Sequence, residues 1–566
     1  MNKLIILTVA ILTSYITAYS QGDGYSATVV VVGNFQPTVS DATKVNFSPS
    51  IKDSIVTIPE LTYFINSKKV ETTFETEAIK PVKLVDEKLT KLYKYFAKAG
   101  FGTYKTPYAE FFYSNQRSRK WANNVRLKHI SSTGKIDNAG FPGWSDNQAE
   151  ANTTYFWRKT SLSGGAGFKR DLIHYYGYNP DSVYNEFGVN PSRKDIKQRF
   201  NYFNANARLA NTGIDSSATD YYLRFDYHLT GDYYKRNENS FSLEGKISKN
   251  LELFSITKSQ TIGIQAEGDY VSQKFTDRST HGNSLISLKP FLNTKFGFFD
   301  INIGGNASIT ADSISYLYFY PHAELHFRLI RNILDFYGGY TGNIERHSYR
   351  SLSKENTFIT SEIPTGFTYN KSVVYGGFNT RISKNMDFFA KVSNSISDNL
   401  HLFARDTAFA DSTQRWMNRF TTRYDNARIL RIGGGLVYNQ SQKIRISIGG
   451  TMNNYFLDNE EQAWHTPPYE IYLSAKYNIQ DKIIANLEAY YYASSWGLAT
   501  GTYANSAMTA EKIKAYTDIN LSLEYRYSKV LGGFISFNNI GASRYEKWLG
   551  YPSQRFSLMA GISYSF

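Results

Sequence analysis

Taken two residues at a time, the chain separates apolar from polar positions again and again. Ile519, Leu521, Leu523, Tyr525 and Tyr527 fall on one face of an extended segment, opposite Asp518, Asn520, Ser522, Glu524, Arg526 and Ser528. Ile483, Ala485, Leu487, Ala489 and Tyr491 oppose Asn486, Glu488 and Tyr490, and Ile444, Ile446 and Ile448 oppose Lys443, Arg445 and Ser447. Ile301, Ile303, Ala307 and Ile309 oppose Asn302, Asn306 and Ser308. The last residues repeat the pattern, with Phe556, Leu558, Ala560, Ile562, Tyr564 and Phe566 on one face. Period two is the signature of a β-strand. Segments of ~9–11 residues with one apolar face are what a tilted strand needs to cross an outer membrane.

The connections alternate in length, which is a second and independent signal. Short turns fall at Ser248-Lys249-Asn250, Lys295 to Phe298, Arg331-Asn332, Ser383-Lys384-Asn385, Ser441-Gln442, Gln480-Asp481 and Ser528-Lys529. Longer stretches lie near 271–283, 347–371, 398–420, 457–468, 494–513 and 541–554. With further turns near 117, 163 and 213, about ten short turns predict about 22 strands with both barrel ends on the short-turn side, within an even range of about 14 to 22. The expected fold is all-β: a transmembrane antiparallel β-barrel over residues 92–566, preceded by a signal peptide over 1–20 and an extended periplasmic or lumenal segment over 21–91. Residues 83–98 fit either a short helix or the start of the first strand, and the strand is placed from Leu92 onward. In this reading the last strand closes on the first, and Tyr564 and Phe566 form a terminal barrel-insertion signal facing lipid.

Composition sharpens the class. The 45 Tyr, 38 Phe and 7 Trp make 16% of the chain aromatic, yet the mean hydropathy is -0.41. Aromatic girdles around a half-polar barrel produce that combination, whereas Leu-, Val- and Ile-rich soluble cores do not. Clusters such as Tyr490-Tyr491-Tyr492, Tyr175-Tyr176 and Phe298-Phe299 are expected in such girdles. The first twenty residues place one Lys ahead of an apolar run from Leu4 to Leu12 and small residues Ala18 and Ser20, the layout of a secretory signal. That run is about half the ~20 residues of a spanning helix. Cysteine is absent, which excludes disulfides and thiolate metal sites. The net charge of +14 is spread along the chain without a basic block interleaved with aromatics, so nucleic acid is not an expected partner.

Candidate chemistry is sparse. In YPHAELHF, residues 320–327, His322, Glu324 and His326 share a strand face, with alternate residues ~6.6 Å apart. Imidazole and carboxylate suit zinc or a transition metal, and an ordinary lumen-facing polar ladder is the competing reading. No Ser/His/Asp arrangement is visible, and Gly164-Gly165-Ala166-Gly167 and Gly433-Gly434-Gly435 lack the Lys-Ser/Thr ending of a phosphate loop. No cofactor and no enzymatic activity are expected. Loop residues 138–150 and 177–195 are candidate contact surfaces, with Phe141 and Trp144 either exposed to a partner or folded into the lumen.

Two stretches carry a resemblance. ISFNNIGASRYEKWLGYPSQRFSLMAGISYSF, residues 535–566, resembles the last hairpin of TonB-dependent receptors from Bacteroidota, and ATVVVVGNF, Ala27 to Phe35, resembles the segment that opens their plug region. The resemblance implies an outer-membrane receptor barrel in which Val29, Val30, Val31, Val32 and Gly33 form a strand that meets a TonB-type protein. The family's plug exceeds a hundred residues, whereas Gln21 to about Val85 precede this barrel. A plug-less, receptor-like barrel resembles an accessory subunit of the outer-membrane β-barrel assembly machinery. The expected function is therefore a non-enzymatic subunit of such a complex, with barrel and lipoprotein partners in a membrane of lipid and lipopolysaccharide. The alternative is a diffusive or gated channel or transporter for small solutes, with TonB-linked uptake behind it.

Overall fold

The computed structural model describes residues 92–115, 117–212, 219–252, 260–312, 314–406, 417–500 and 508–566. The expected signal peptide, the segment 21–91 and the strand Val29 to Gly33 lie outside these residues. Among the described residues, 22 strands form one sheet and two short ones, Ser495–Thr500 and Met508–Ile513, form a separate hairpin. Consecutive strands of the large sheet pair antiparallel, and the last strand, Ser557–Ser565, pairs back onto the first, Tyr95–Gly102. The sheet is thus a closed barrel, as the alternation and turn spacing predict. Closure matters because a backbone N–H or C=O left open in hydrocarbon costs several kcal/mol, and a ring of strands leaves no edge.

The closing seam is tight. Phe96 pairs with Ser565 through to Gly102 with Met559, and Tyr95 and Phe566 exchange backbone hydrogen bonds of 3.0 Å in each direction. Gly100 faces Gly561 across the seam. A Cβ on Gly561 would stand 2.1 Å from the Ala99 carbonyl oxygen and 2.5 Å from the Phe534 ring. The buried Phe534 ring fills the space that both glycines leave, and the Lys98 ammonium sits 4.0 Å from its centroid.

The apolar faces named in the sequence point outward. Ile562 is 63% exposed and Ile303 54%, and Tyr564 and Phe566 lie on the same outer surface. Near the short-turn end, aromatic pairs ring the outside: Tyr95 with Phe566 at 5.1 Å, Trp121 with Tyr155 at 4.6 Å and Phe299 with Phe327 at 4.8 Å. This is an interfacial girdle in position and composition.

Three details depart from the sequence reading. The turn expected near 163 is made by Arg158 and Lys159, with Arg158 at φ 51°, so Gly164 to Gly167 run inside the strand Thr160–His174. The long loop expected over 271–283 is a tight connection at 275–279, because Gln260–Lys274 and Thr280–Phe296 extend past the membrane-spanning length. Tyr175 and Tyr176 are not in a girdle; Tyr175 is buried and Tyr176 half-buried among the loops at the opposite end.

Candidate functional site

At the long-loop end the connections do not splay outward. They converge on a core of their own, in which Phe200, Tyr202, Tyr349, Leu352, Ile359, Ile363, Phe403, Phe420 and Tyr551 are buried together. A neighbouring cluster joins Tyr175, Val183, Ile196 and Met417. Val183 comes from α1, Pro180–Phe187, which starts on Asn179, whose side chain accepts from the Asp181 and Ser182 N–H groups, and stops on Gly188 in the left-handed region. Tyr349 and Leu352 come from α2, Tyr349–Glu355, capped by the Ser348 hydroxyl. Each helix presents one apolar stripe to this core, which is what makes helices this short stable.

A buried polar frame fixes the cap to the barrel rim. The Arg236 side chain is fully buried. It donates to the Ser361 carbonyl at 2.6 Å, the Ile363 carbonyl at 2.9 Å and the Gln273 side chain at 2.8 Å. Its guanidinium also lies 4.3 Å from the Phe275 centroid and 4.4 Å from that of Tyr349. Asp232 accepts from the Tyr349 hydroxyl at 2.7 Å, from the Arg236 N–H at 2.9 Å and from Ser361. Glu238 accepts the Tyr349 and Arg350 N–H groups, at 2.6 and 3.1 Å, at the positive end of α2. Burial pushes the Tyr349 phenol well above its ordinary range and pulls the Arg236 guanidinium down. Both shifts follow from removal of water around the charged form.

The remaining loops lock in through backbone acceptors. Tyr175 donates to the Ile359 carbonyl at 2.7 Å, Tyr176 to that of Pro552 at 3.1 Å and Asn418 to that of Leu549 at 2.7 Å. Gly550, at φ 80°, lets the last loop turn beneath Asn418, a conformation that a side chain resists. His465 donates from Nδ1 to the Phe403 carbonyl at 3.0 Å, between the rings of Phe420 and Trp548. Burial holds the His465 imidazole down at about 4. Between ~6.5 and about 4 an opened loop binds a proton that the closed loop refuses, so stability is level above that window and falls as pH drops through it, by about 3 kcal/mol in all. Limited proteolysis of the loops is accordingly expected to accelerate from pH 7 to pH 4.5 in the wild type. In His465→Gln, which keeps a donor for Phe403, the acceleration should be smaller, the remainder coming from His174 and His347, whose imidazoles burial also holds down.

Between the loops remains a cavity of about 210 Å³ bordered by Ile136, Trp144, Ile173, His174, Tyr176 and Phe358. Pockets that hold small molecules usually run ~300–1,000 Å³, so a ligand of that size requires the cap to shift. Phe141 and Trp144 are both half-buried within the loop layer. Trp144 opens a strand and borders this cavity, while Phe141 meets His174 edge-on at 5.0 Å and the Arg193 guanidinium at 4.1 Å.

The sequence-derived metal candidates lie on the lumen side of the strand Ser315–Ile330. His326 pairs with Glu324, whose other oxygen accepts from Tyr375, while His322 stands apart across from Gly304. Among the described residues no group of three or more His, Cys, Asp or Glu is placed to hold a metal ion. Sequence reasoning missed the frame of Asp232, Arg236, Glu238 and Gln273. Its one available signal was DYYKRNE, a charged connection far too short for a solvated loop.

Solved structures place this architecture. The pyoverdine outer membrane receptor FpvA from Pseudomonas aeruginosa aligns over 85% of this chain and 79% of its own, with 11% identity and a TM-score of 0.62. The siderophore receptor PirA from Acinetobacter baumannii aligns over 83% and 80%, with 11% identity and a TM-score of 0.62. The ferric-catecholate import receptor Fiu from E. coli aligns over 84% and 82%, with 10% identity and a TM-score of 0.59. The chain has the siderophore-receptor barrel fold. No family model and no curated protein matches it. A receptor-type barrel with a closed ring of strands and an outward apolar belt is a bacterial outer-membrane protein. The expectation of an accessory subunit of the barrel-assembly machinery is overturned by these likenesses: the solved proteins of the same fold are ligand receptors. The physical error was to weigh the short N-terminal segment as a missing function, when the receptor-type barrel itself is intact.

Proposed function

We propose that this protein is an outer-membrane uptake receptor, in which the cap of outer loops is the gate and a ligand passes through the barrel to the periplasm. The observation that carries the reading is the cored cap set on a receptor-type 22-stranded barrel. A barrel this wide encloses a channel unless something fills it, and a scaffold has no need of a lid whose small cavity forces movement on binding. The names of the solved receptors point to pyoverdine and ferric catecholates, so ferric siderophores are the first ligand class to try. Energy would come from a TonB-type protein engaging Val29 to Gly33.

The test uses the absence of native cysteine. Asn302→Cys, which lines the lumen, is exposed on intact cells to a maleimide-polyethylene glycol too large for porins. The wild-type cap should protect it, and Tyr349→Ala with Leu352→Ala should expose it. Equal labelling in both would end the gated reading. Deleting Gln21 to Phe35 should then abolish ferric-siderophore uptake while the barrel remains heat-modifiable on gels; unchanged uptake would remove the TonB-type partner.

A further inference from the structure

One stretch of the barrel wall is not held by backbone bonds. The strand Ser315–Ile330 pairs with Phe299–Ala311 from Ser315 to Phe327. On its other side it pairs with Leu334–His347 only from Ala323 downward. Above that point Thr341 to His347 pair instead with Gly366–Ser383 alone. Two strand edges therefore meet near the outer rim with no ladder between them.

Side chains seal the gap. Leu285, Tyr320, Ile344 and Phe367 form a buried cluster, with Tyr318 and Tyr369 against it. Tyr318 stacks on Tyr320 at 6.2 Å and leans on Tyr369 at 4.9 Å. The Tyr320 ring lies over Gly342, where a Cβ would come within 2.6 Å of it, and its buried hydroxyl has no hydrogen-bond partner among the described residues. An aromatic seal with an unpaired hydroxyl costs less to part than a ladder of backbone bonds in lipid.

Just below, the wall is thin. Pro321 stands opposite Gly305. The register through Leu288 with Ala307 and Phe291 with Gly304 sets Pro290 on the other side of Gly305, where the pairing is interrupted. A proline has no N–H to give to a ladder. Outside this row lies an apolar groove of about 810 Å³ lined by Ile262, Leu292, Ile303 and Phe319. Inside it, behind the same Pro290 and Gly304, lies a pocket of about 340 Å³ that carries Lys246, Lys289 and His322. The groove reaches the unbonded edge at Phe319 on one strand and the pocket reaches it at Thr341 to Asn343 on the other, so grease on the membrane side and Lys246 and Lys289 on the lumen side match a molecule with an acyl chain and an anionic head.

We propose that this seam is a lateral portal through which an anionic acyl amphiphile of the outer leaflet exchanges with the lumen, its chain in the groove and its head at Lys246 and Lys289. This goes beyond the uptake reading: it adds a second ligand class and a second route, one that bypasses the closed cap. Leu317 and Phe319, 72% and 68% exposed on the outer surface of the free edge, keep the route continuous with the lipid belt. The Lys289 ammonium is held by Glu267 at 2.5 Å, so the head competes with that carboxylate.

The experiment locks the seal. Full-length Tyr318→Cys with Tyr369→Cys, in proteoliposomes, is bridged by a short bis-methanethiosulfonate reagent that reductant removes. A long-chain fatty acid with a diazirine beside its carboxylate is photolysed, and labelling of lumen-facing Asn293 and Asn306 is read by mass spectrometry. Labelling should fall about tenfold on bridging, since only the parted state admits the head, and return on reduction. Both single variants should be indifferent to the reagent, and heat-modifiability reports that the barrel is intact. No lumenal label in the reduced protein, or equal label in bridged and reduced protein, overturns the portal. Those results leave the cap-protection experiment untouched, so the portal and the uptake reading fail separately.

Discussion

Gly561→Val is expected to leave the chain unable to close its barrel. Its Cβ would meet the Ala99 carbonyl oxygen at 2.1 Å and the Gly100 Cα at 2.6 Å. These are backbone atoms in the partner strand, which cannot swing aside as a side-chain end does. Overpacking in a core costs ~1–3 kcal/mol when neighbours relax; here relaxation means parting the strands, which exposes unbonded backbone to hydrocarbon at several kcal/mol per group. The heat-modifiable band of the folded barrel should disappear almost entirely from unboiled gels. Phe534→Leu is the companion variant, because it loosens the ring over both glycines while sparing the backbone contact. It should lower the unfolding temperature and keep the folded band. A normal folded band for Gly561→Val would mean that the two strands do not approach this closely.

The second large effect is at Arg236. Arg236→Met keeps much of the stem but leaves the Ser361 and Ile363 carbonyls and the Gln273 side chain without their donor, beside the buried Asp232 and Glu238. Removing one partner from a buried charged network typically costs ~3–5 kcal/mol. The loss should fall on the cap, since the strands on either side are fully paired. The barrel should stay heat-modifiable while protease cuts the segment 348–365 at least ~100-fold faster, the ratio that ~3 kcal/mol of local opening implies when opening is fast relative to cleavage. Asp232→Asn should be milder, because the amide oxygen can still accept from Tyr349 and Ser361 at the Oδ2 position and only the acceptor for the Arg236 N–H at Oδ1 is lost. Equal protease resistance in wild type and Arg236→Met would mean that the apolar clusters alone hold the cap.

The barrel was legible because lipid imposes its rule residue by residue. Every spanning strand must turn an apolar face outward, so Ile519 to Tyr527 or Ile483 to Tyr491 announce themselves in isolation, and tight turns such as Arg331-Asn332 mark one rim. Boundaries near the other rim were not legible, since strands such as Thr280–Phe296 run past the membrane into water, where alternation is no longer enforced. The cap was invisible for a different reason. Tyr175 reaches Ile359 across 184 residues of sequence, and nothing local distinguishes a tyrosine bound for a loop core from one bound for a girdle. Function was misread because the short N-terminal segment drew more weight than the barrel it precedes.

The cap core draws on Phe200 from an early strand, Tyr349 from a middle loop and Tyr551 from the last loop, with Trp548 packed beside it. A chain inserted only in part, or truncated before residue 539, lacks the final pieces of its own lid. The same truncation removes the strand that closes the wall, so completion of the wall and completion of the cap depend on one last hairpin.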